Sequence, residues 1–195
     1  MPILQRAVFL HVPKTGGTWV EQALRMAGVE FEQFIVDGDQ HGDLSYSPRP
    51  QAFTIAFVRN PLTLYQSYWR FKVDRGWDQR NPFDVECRAD SFIDFVAGVV
   101  RQHPGWCSQM FEDYVGPPTA PISFIGRFEN LADDLVTALR LCGEQFDEAA
   151  LRSTPPANVS RTPLTLCQWR QDLITTVAKS EVSAMTRFGY ASGVD

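Results

Sequence analysis

Residues 7–12 form an almost unbroken apolar run, Ala-Val-Phe-Leu-His-Val, after which Trp19, Val20, Ala23, Leu24 and Ala27 recur three and four apart. The run predicts a short buried strand and the recurrence predicts the inward stripe of a helix, with Gly28 where helices take a left-handed cap. A second strand is predicted over 31–36, followed by a polar loop over 37–50 rich in Gly, Ser and Pro. Loops of that length usually carry function or are mobile. The clearest strand pattern is 52–58, and it ends at Arg59-Asn60-Pro61, where Asn can cap a helix and Pro can open it. That helix would bury Leu64, Tyr65, Tyr68 and Trp69, an aromatic stripe read as core. Residues 72–88 read as a surface excursion, 91–100 as a helix with a capping signal at Ser91 and Asp94, and Gly116-Pro117-Pro118 as a loop. A further strand is predicted over 122–126, a helix over 130–141 capped by Asn130, and a last helix within 164–188, with Leu166, Trp169, Leu173 and Val177 at helical intervals. Strands alternating with helices predict an α/β fold: a three-layer, mostly parallel sheet with helices on both faces. Ligands of such sheets bind at the carboxyl ends of the strands.

Composition narrows the classes. The 195 residues are 44% hydrophobic and 21% charged, which predicts one domain over 1–195. A net charge of −5 provides no broad basic field, so nucleic acid and acidic membranes are not expected partners and any anion site must be local. The first apolar run is too short for a signal-peptide core or a membrane span, which predicts a cytoplasmic chain. Cys87, Cys107, Cys142 and Cys167 lie 20, 35 and 25 residues apart, without metal-ligand spacing, so free thiols are expected and no metal. The sequon at Asn158-Val159-Ser160 has no meaning without secretion.

Between the first strand and the first helix stands Pro13-Lys14-Thr15-Gly16-Gly17-Thr18-Trp19. Paired glycines let the backbone turn sharply and approach a ligand, while amides of the first helical turn, near Thr18 and Trp19, point outward unpaired. Lys14 adds a point charge, and Thr15 and Thr18 add hydroxyls. The set suits a phosphate or sulfate with one oxygen to be stabilised during transfer. The order differs from the triphosphate loop G-x-x-x-x-G-K-[ST], because Lys14 precedes both glycines and no lysine follows Gly17. Nor does a strand clearly end in an Asp that would hold magnesium.

The stretch resembles instead the 5′-phosphosulfate loop of sulfotransferases. That family takes a sulfuryl group from 3′-phosphoadenosine 5′-phosphosulfate and releases 3′-phosphoadenosine 5′-phosphate, and it needs no metal. The family also has an Arg closing a later strand and a Ser eight positions on, which bind the donor's 3′-phosphate; here "FVRNPLTLYQSYWRF" has Arg59 and Ser67. A helix starting at Asn60 would put Asn60, Thr63 and Ser67 on one stripe, opposite the aromatic side. "FIGRFENLADDL", "FGY" at 188–190 and, loosely, residues 103–110 also resemble carbohydrate-modifying and bacterial members.

The resemblance implies donor binding by Lys14, Thr15, Gly16, Gly17, Thr18, Trp19, Arg59, Ser67 and Arg161, with Lys14 aiding the leaving group and Trp19 near the adenine. The acceptor would be a hydroxyl of a small molecule or saccharide, less readily an amine, met by residues 72–88 and 102–118. "HGDLSY" is similar to the His-Gly-His-x-Ser-Tyr text of uronyl 2-O-sulfotransferases, which implies His41 as base. Asp43 replaces the second histidine, and Asp43 and Glu32 are reserves. His11 reads as a packed core histidine inside the first strand, and His103 as a shaper of the acceptor side. Two rivals remain open: a magnesium-dependent, nucleotide-triphosphate-dependent kinase and a noncatalytic nucleotide-binding protein.

Overall fold

The computed structural model describes residues 1–35, 41–49 and 51–190. Val36, the expected end of the second strand, and residues 37–40 and 50 of the expected loop lie outside the described residues. In chain order the strands and α-helices are β1 Pro2–Leu4, β2 Ala7–Leu10, α1 Gly17–Met26, β3 Phe31–Gln33, β4 Phe53–Val58, α2 Pro61–Arg75, α3 Pro82–Cys87, α4 Phe92–Gln102, α5 Trp106–Val115, β5 Phe124–Arg127, α6 Leu131–Cys142, α7 Glu148–Arg152, α8 Gln171–Ser180 and α9 Val182–Phe188. The chain divides into two compact units, each of two segments: residues 1–59 with 111–158, and residues 60–110 with 159–195.

The first unit holds a five-stranded sheet in the order β3-β1-β2-β4-β5. β1 runs antiparallel to both of its neighbours, whereas β2, β4 and β5 pair in parallel. The sheet is therefore mixed, where a mostly parallel one was expected. The strand that changes it, Pro2-Ile3-Leu4, is too short for any periodicity to register. Ala7, Phe9, Ile55 and Phe57 pack on one face against Val20, Ala23 and Leu24 of α1 and Leu135, Val136 and Leu139 of α6. The alternate positions Val8, Leu10, Ala56 and Val58 are buried too, as near-continuous apolar strands require. α1 closes where expected: Gly28 takes φ +73°, its amide donates to the Arg25 carbonyl, and Val29 donates to Leu24. The start of α6 differs. Asn130 makes no side-chain cap and is the last residue of a 3₁₀ turn over Phe128–Asn130; the Asp134 carboxylate instead accepts the Arg127 amide at 2.7 Å.

The second unit is helical. α2 opens as expected, with Pro61 in the first turn and the Asn60 side chain accepting the Leu62 amide at 3.0 Å. Residues 72–88, expected as a surface excursion, are mostly exposed or half-exposed, but they complete α2 and form α3 around a buried carboxylate. Asp84 is 0% exposed; it accepts from the Tyr68 hydroxyl at 2.6 Å and the Asp78 amide at 2.8 Å, and pairs with the Lys72 ammonium. These partners satisfy a charge that burial would otherwise penalise heavily. The aromatic stripe is core as expected, with Trp106 centred 5.2, 5.0 and 4.6 Å from Tyr65, Tyr68 and Phe83. The last helix is two helices, α8 and α9, with buried Glu181 between them. Its carboxylate accepts from the Tyr65 hydroxyl at 2.9 Å, the Cys107 amide at 3.1 Å, and both the amide and hydroxyl of Ser108 at 2.8 Å. A carboxylate against the first-turn amides of α5 is favourable, and that contact explains a chain break with no Gly or Pro to mark it. All four cysteines are free. Among the described residues no helix is long and apolar enough to cross a membrane.

Candidate functional site

Register sets the site. Leu10 pairs with Ala56, and Val58 pairs with Arg127, so the chain leaves β2, β4 and β5 at one edge, the carboxyl edge. The segments leaving there are the loop at 11–16, Arg59 and Phe128.

Lys14 has φ +63° and Gly16 has φ +91°. A left-handed lysine is held against a steric cost of roughly 1 kcal/mol, which the surroundings must impose. One restraint is Thr15, fully buried, whose hydroxyl donates to the Val12 carbonyl at 2.9 Å. Another is Arg59, whose guanidinium donates to the Lys14 carbonyl at 3.2 Å and lies 3.9 Å above the Phe128 ring. Gly16 permits the close approach: a Cβ there would meet Leu131 Cδ2 at 2.6 Å and Phe128 Cδ2 at 3.1 Å. Gly16 is also the N-cap of α1, without a side-chain cap, and the ladder begins with the Val20 amide on the Gly16 carbonyl at 3.1 Å. The amides of Gly17, Thr18 and Trp19 therefore precede the first helical bond and carry the positive end of the helix dipole. Thr18 is exposed on that turn. The Trp19 indole donates to the Thr154 carbonyl at 3.3 Å and packs against the core.

Two histidines lie beside this loop. The His41 and His11 rings are 4.7 Å apart at 65°. His11, expected inside the first strand, follows its last residue; it is buried, and its Nδ1 lies 3.0 Å from Glu21 Oε1. Burial pushes the Glu21 carboxyl up, but the hydrogen bond and charge of His11, with the N-terminus and Arg25, outweigh that and hold it below its ordinary value. Asp43 caps the 3₁₀ turn Leu44–Tyr46, its Oδ1 accepting the Ser45 amide at 2.7 Å and the Ser45 hydroxyl at 2.6 Å. Glu32 is exposed on the edge strand β3.

The other expected site residues belong to the second unit. Ser67 is half-exposed on α2. Arg161 is exposed, with its amide donating to Asp74 at 2.7 Å. His103 pairs with Glu86 at 2.7 Å and lies 5.1 Å from the Phe83 ring.

Glu21, Phe128 and Leu131 complete the geometry without having been singled out from the sequence. Phe128 carried a signal, since it directly follows a strand at the ligand-binding edge. Among the described residues no group of three or more His, Cys, Asp or Glu could hold a metal. Comparison of the chain with known protein families, with characterised proteins and with solved structures finds no match.

Proposed function

We propose that the protein is a sulfotransferase that moves a sulfuryl group from 3′-phosphoadenosine 5′-phosphosulfate to the hydroxyl of a saccharide or small metabolite. The observation that carries this is the strand-to-helix loop, where left-handed Lys14 and Gly16 are clamped by Arg59 beside His41. The cradle suits the donor's anionic end, because the loop brings the first-turn backbone amides of α1 together with a lysine.

The donor supplies a sulfuryl group on a phosphate leaving group; the acceptor oxygen–sulfur bond forms as the bridging bond to phosphate breaks. Lys14 and the α1 amides stabilise the charge that builds on the leaving oxygen. Arg59, with its guanidinium oriented by Phe128 and the Lys14 carbonyl, provides a planar donor fork for phosphate. A ring nitrogen of His41 takes the acceptor proton. Asp43 is engaged twice by Ser45, which favours His41 as base.

The test is release of 3′-phosphoadenosine 5′-phosphate when the protein is given donor and a panel of phenols, monosaccharides and uronate oligosaccharides. Acceptor-dependent release that falls about a hundredfold or more in both Lys14→Ala and His41→Ala is expected. Release unchanged in both variants would overturn the proposal.

A further inference from the structure

One imidazole touches three parts of the first unit. The His11 ring lies 5.9 Å from Phe9, stacked at 27°, and 4.7 Å from His41. Its Nδ1 faces Glu21 Oε1 at 3.0 Å. A carboxylate held ionised accepts only, so the proton of this bond sits on His11 Nδ1. The opposite edge lies against the first residue of α1, where a Cβ at Gly17 would fall 2.1 Å from both Cδ2 and Nε2. The ring is thus held on one edge by a carboxylate of α1 and on the other by the backbone of the same helix, and it cannot rotate without breaking one contact or striking the other.

We propose that Glu21 and His11 are positioning residues for the reaction proposed above: Glu21 locks the His11 ring with its proton on Nδ1, and that ring is the seat that keys His41 to the anion loop at Gly17. The inference rests on the sulfotransferase proposal only in taking His41 as the base. The anion loop and the base come from separate stretches of chain, and His11 is the side chain in contact with both Gly17 and His41. A base misplaced by about 1 Å loses on the order of a hundredfold in rate, so such a seat has a measurable effect.

Glu21→Leu removes the acceptor, and Glu21→Gln keeps an oxygen that can accept from Nδ1. The ring nitrogens are read by long-range ¹⁵N–¹H correlation; the chain has 3 histidines, so His103 serves as internal control. Expected are an Nδ1-protonated His11 in the wild type, displaced His41 ring signals in Glu21→Leu with those of His103 unmoved, and recovery in Glu21→Gln. In turnover, Glu21→Leu should lower kcat about tenfold to a hundredfold while the Kd for 3′-phosphoadenosine 5′-phosphate stays within about twofold. His11→Asn, with folding checked by circular dichroism, should displace the His41 signals in the same way and provides a second variant if Glu21→Leu does not fold. Unmoved His41 signals in Glu21→Leu and His11→Asn, or kcat and Kd changing in proportion, overturn the inference. If the wild type turns over no donor, the functional proposal fails, and the ring signals still decide whether His11 seats His41.

Discussion

Replacing Gly17 by Ala tests the packing of the site through a single carbon. Gly17 is the first residue of α1 and its φ is not positive, so alanine meets no backbone obstacle and brings a helix-propensity gain of up to about 1 kcal/mol. The obstacle is His11, because the added Cβ would lie 2.1 Å from two ring atoms, against an ordinary separation of roughly 3.5 Å or more. The ring must move by about 1.4 Å to reach that separation, although it is buried and bonded to Glu21. Overpacking of this kind costs about 1–3 kcal/mol, and loss of the Glu21 bond adds about 1 kcal/mol. The net is a destabilisation of about 1–3 kcal/mol, with Tm lowered by about 2–4 °C for each kcal/mol. The assay is denaturant unfolding of wild type, Gly17→Ala, His11→Ala and the double variant. Because His11→Ala clears the space that the new Cβ needs, the cycle should show a coupling of about 1 kcal/mol or more. Gly28→Ala is the control: that glycine has φ +73° with nothing within 4 Å, so its cost of about 1 kcal/mol is conformational and indifferent to His11. A Gly17→Ala protein as stable as wild type, or a coupling indistinguishable from zero, refutes this account of the loop.

Asp84→Ala leaves Lys72 as a buried charge without its carboxylate and should cost about 3–5 kcal/mol by denaturant unfolding, more than any substitution at Asp43, whose partners come from its own turn. Burial pushes the thiols of Cys87 and Cys167 up to about 11 and that of Cys107 well above its ordinary value. A disulfide reagent at neutral pH should therefore label these three no faster than the protein unfolds. Glu21 is depressed in the folded protein, so its contribution to stability is present above the ordinary carboxyl pKa and is lost as pH falls through the folded value. The stability gap between wild type and Glu21→Gln should accordingly shrink below about pH 4; a gap that widens on acidification contradicts the sign.

Where periodicity and local chemistry agree, the sequence was legible. The strand at 53–58, the Asn60–Pro61 helix start, the Ser91 cap with Asp94 and the Gly28 turn all follow from residues within a few positions of each other. What escaped depends on partners far along the chain. Asp84 and Lys72 read as surface text because charged residues in sequence do not reveal that they satisfy one another, here with the Tyr68 hydroxyl as a third partner. The break at Glu181 has no local breaker, being fixed by Tyr65, Cys107 and Ser108 more than seventy residues away. Within the candidate site, Arg59 was legible as the residue closing a strand, and the lysine and glycines as a strand-to-helix loop. Phe128 and Leu131 beneath it were not, since they meet Gly16 only through the parallel pairing of β4 with β5. His11 was read as a packed core histidine inside a strand over 7–12; it is buried as expected, but the strand ends at Leu10, so His11 stands in the segment that leaves the carboxyl edge.

The most direct measurement is isothermal titration of the protein with 3′-phosphoadenosine 5′-phosphate, beside ATP with magnesium, for wild type and Arg59→Ala. The account predicts binding of the bisphosphate in preference to ATP, weakened about tenfold to a hundredfold in Arg59→Ala, as expected on removing a charged hydrogen-bond donor. Preference for magnesium-ATP, or bisphosphate binding indifferent to Arg59, would contradict it.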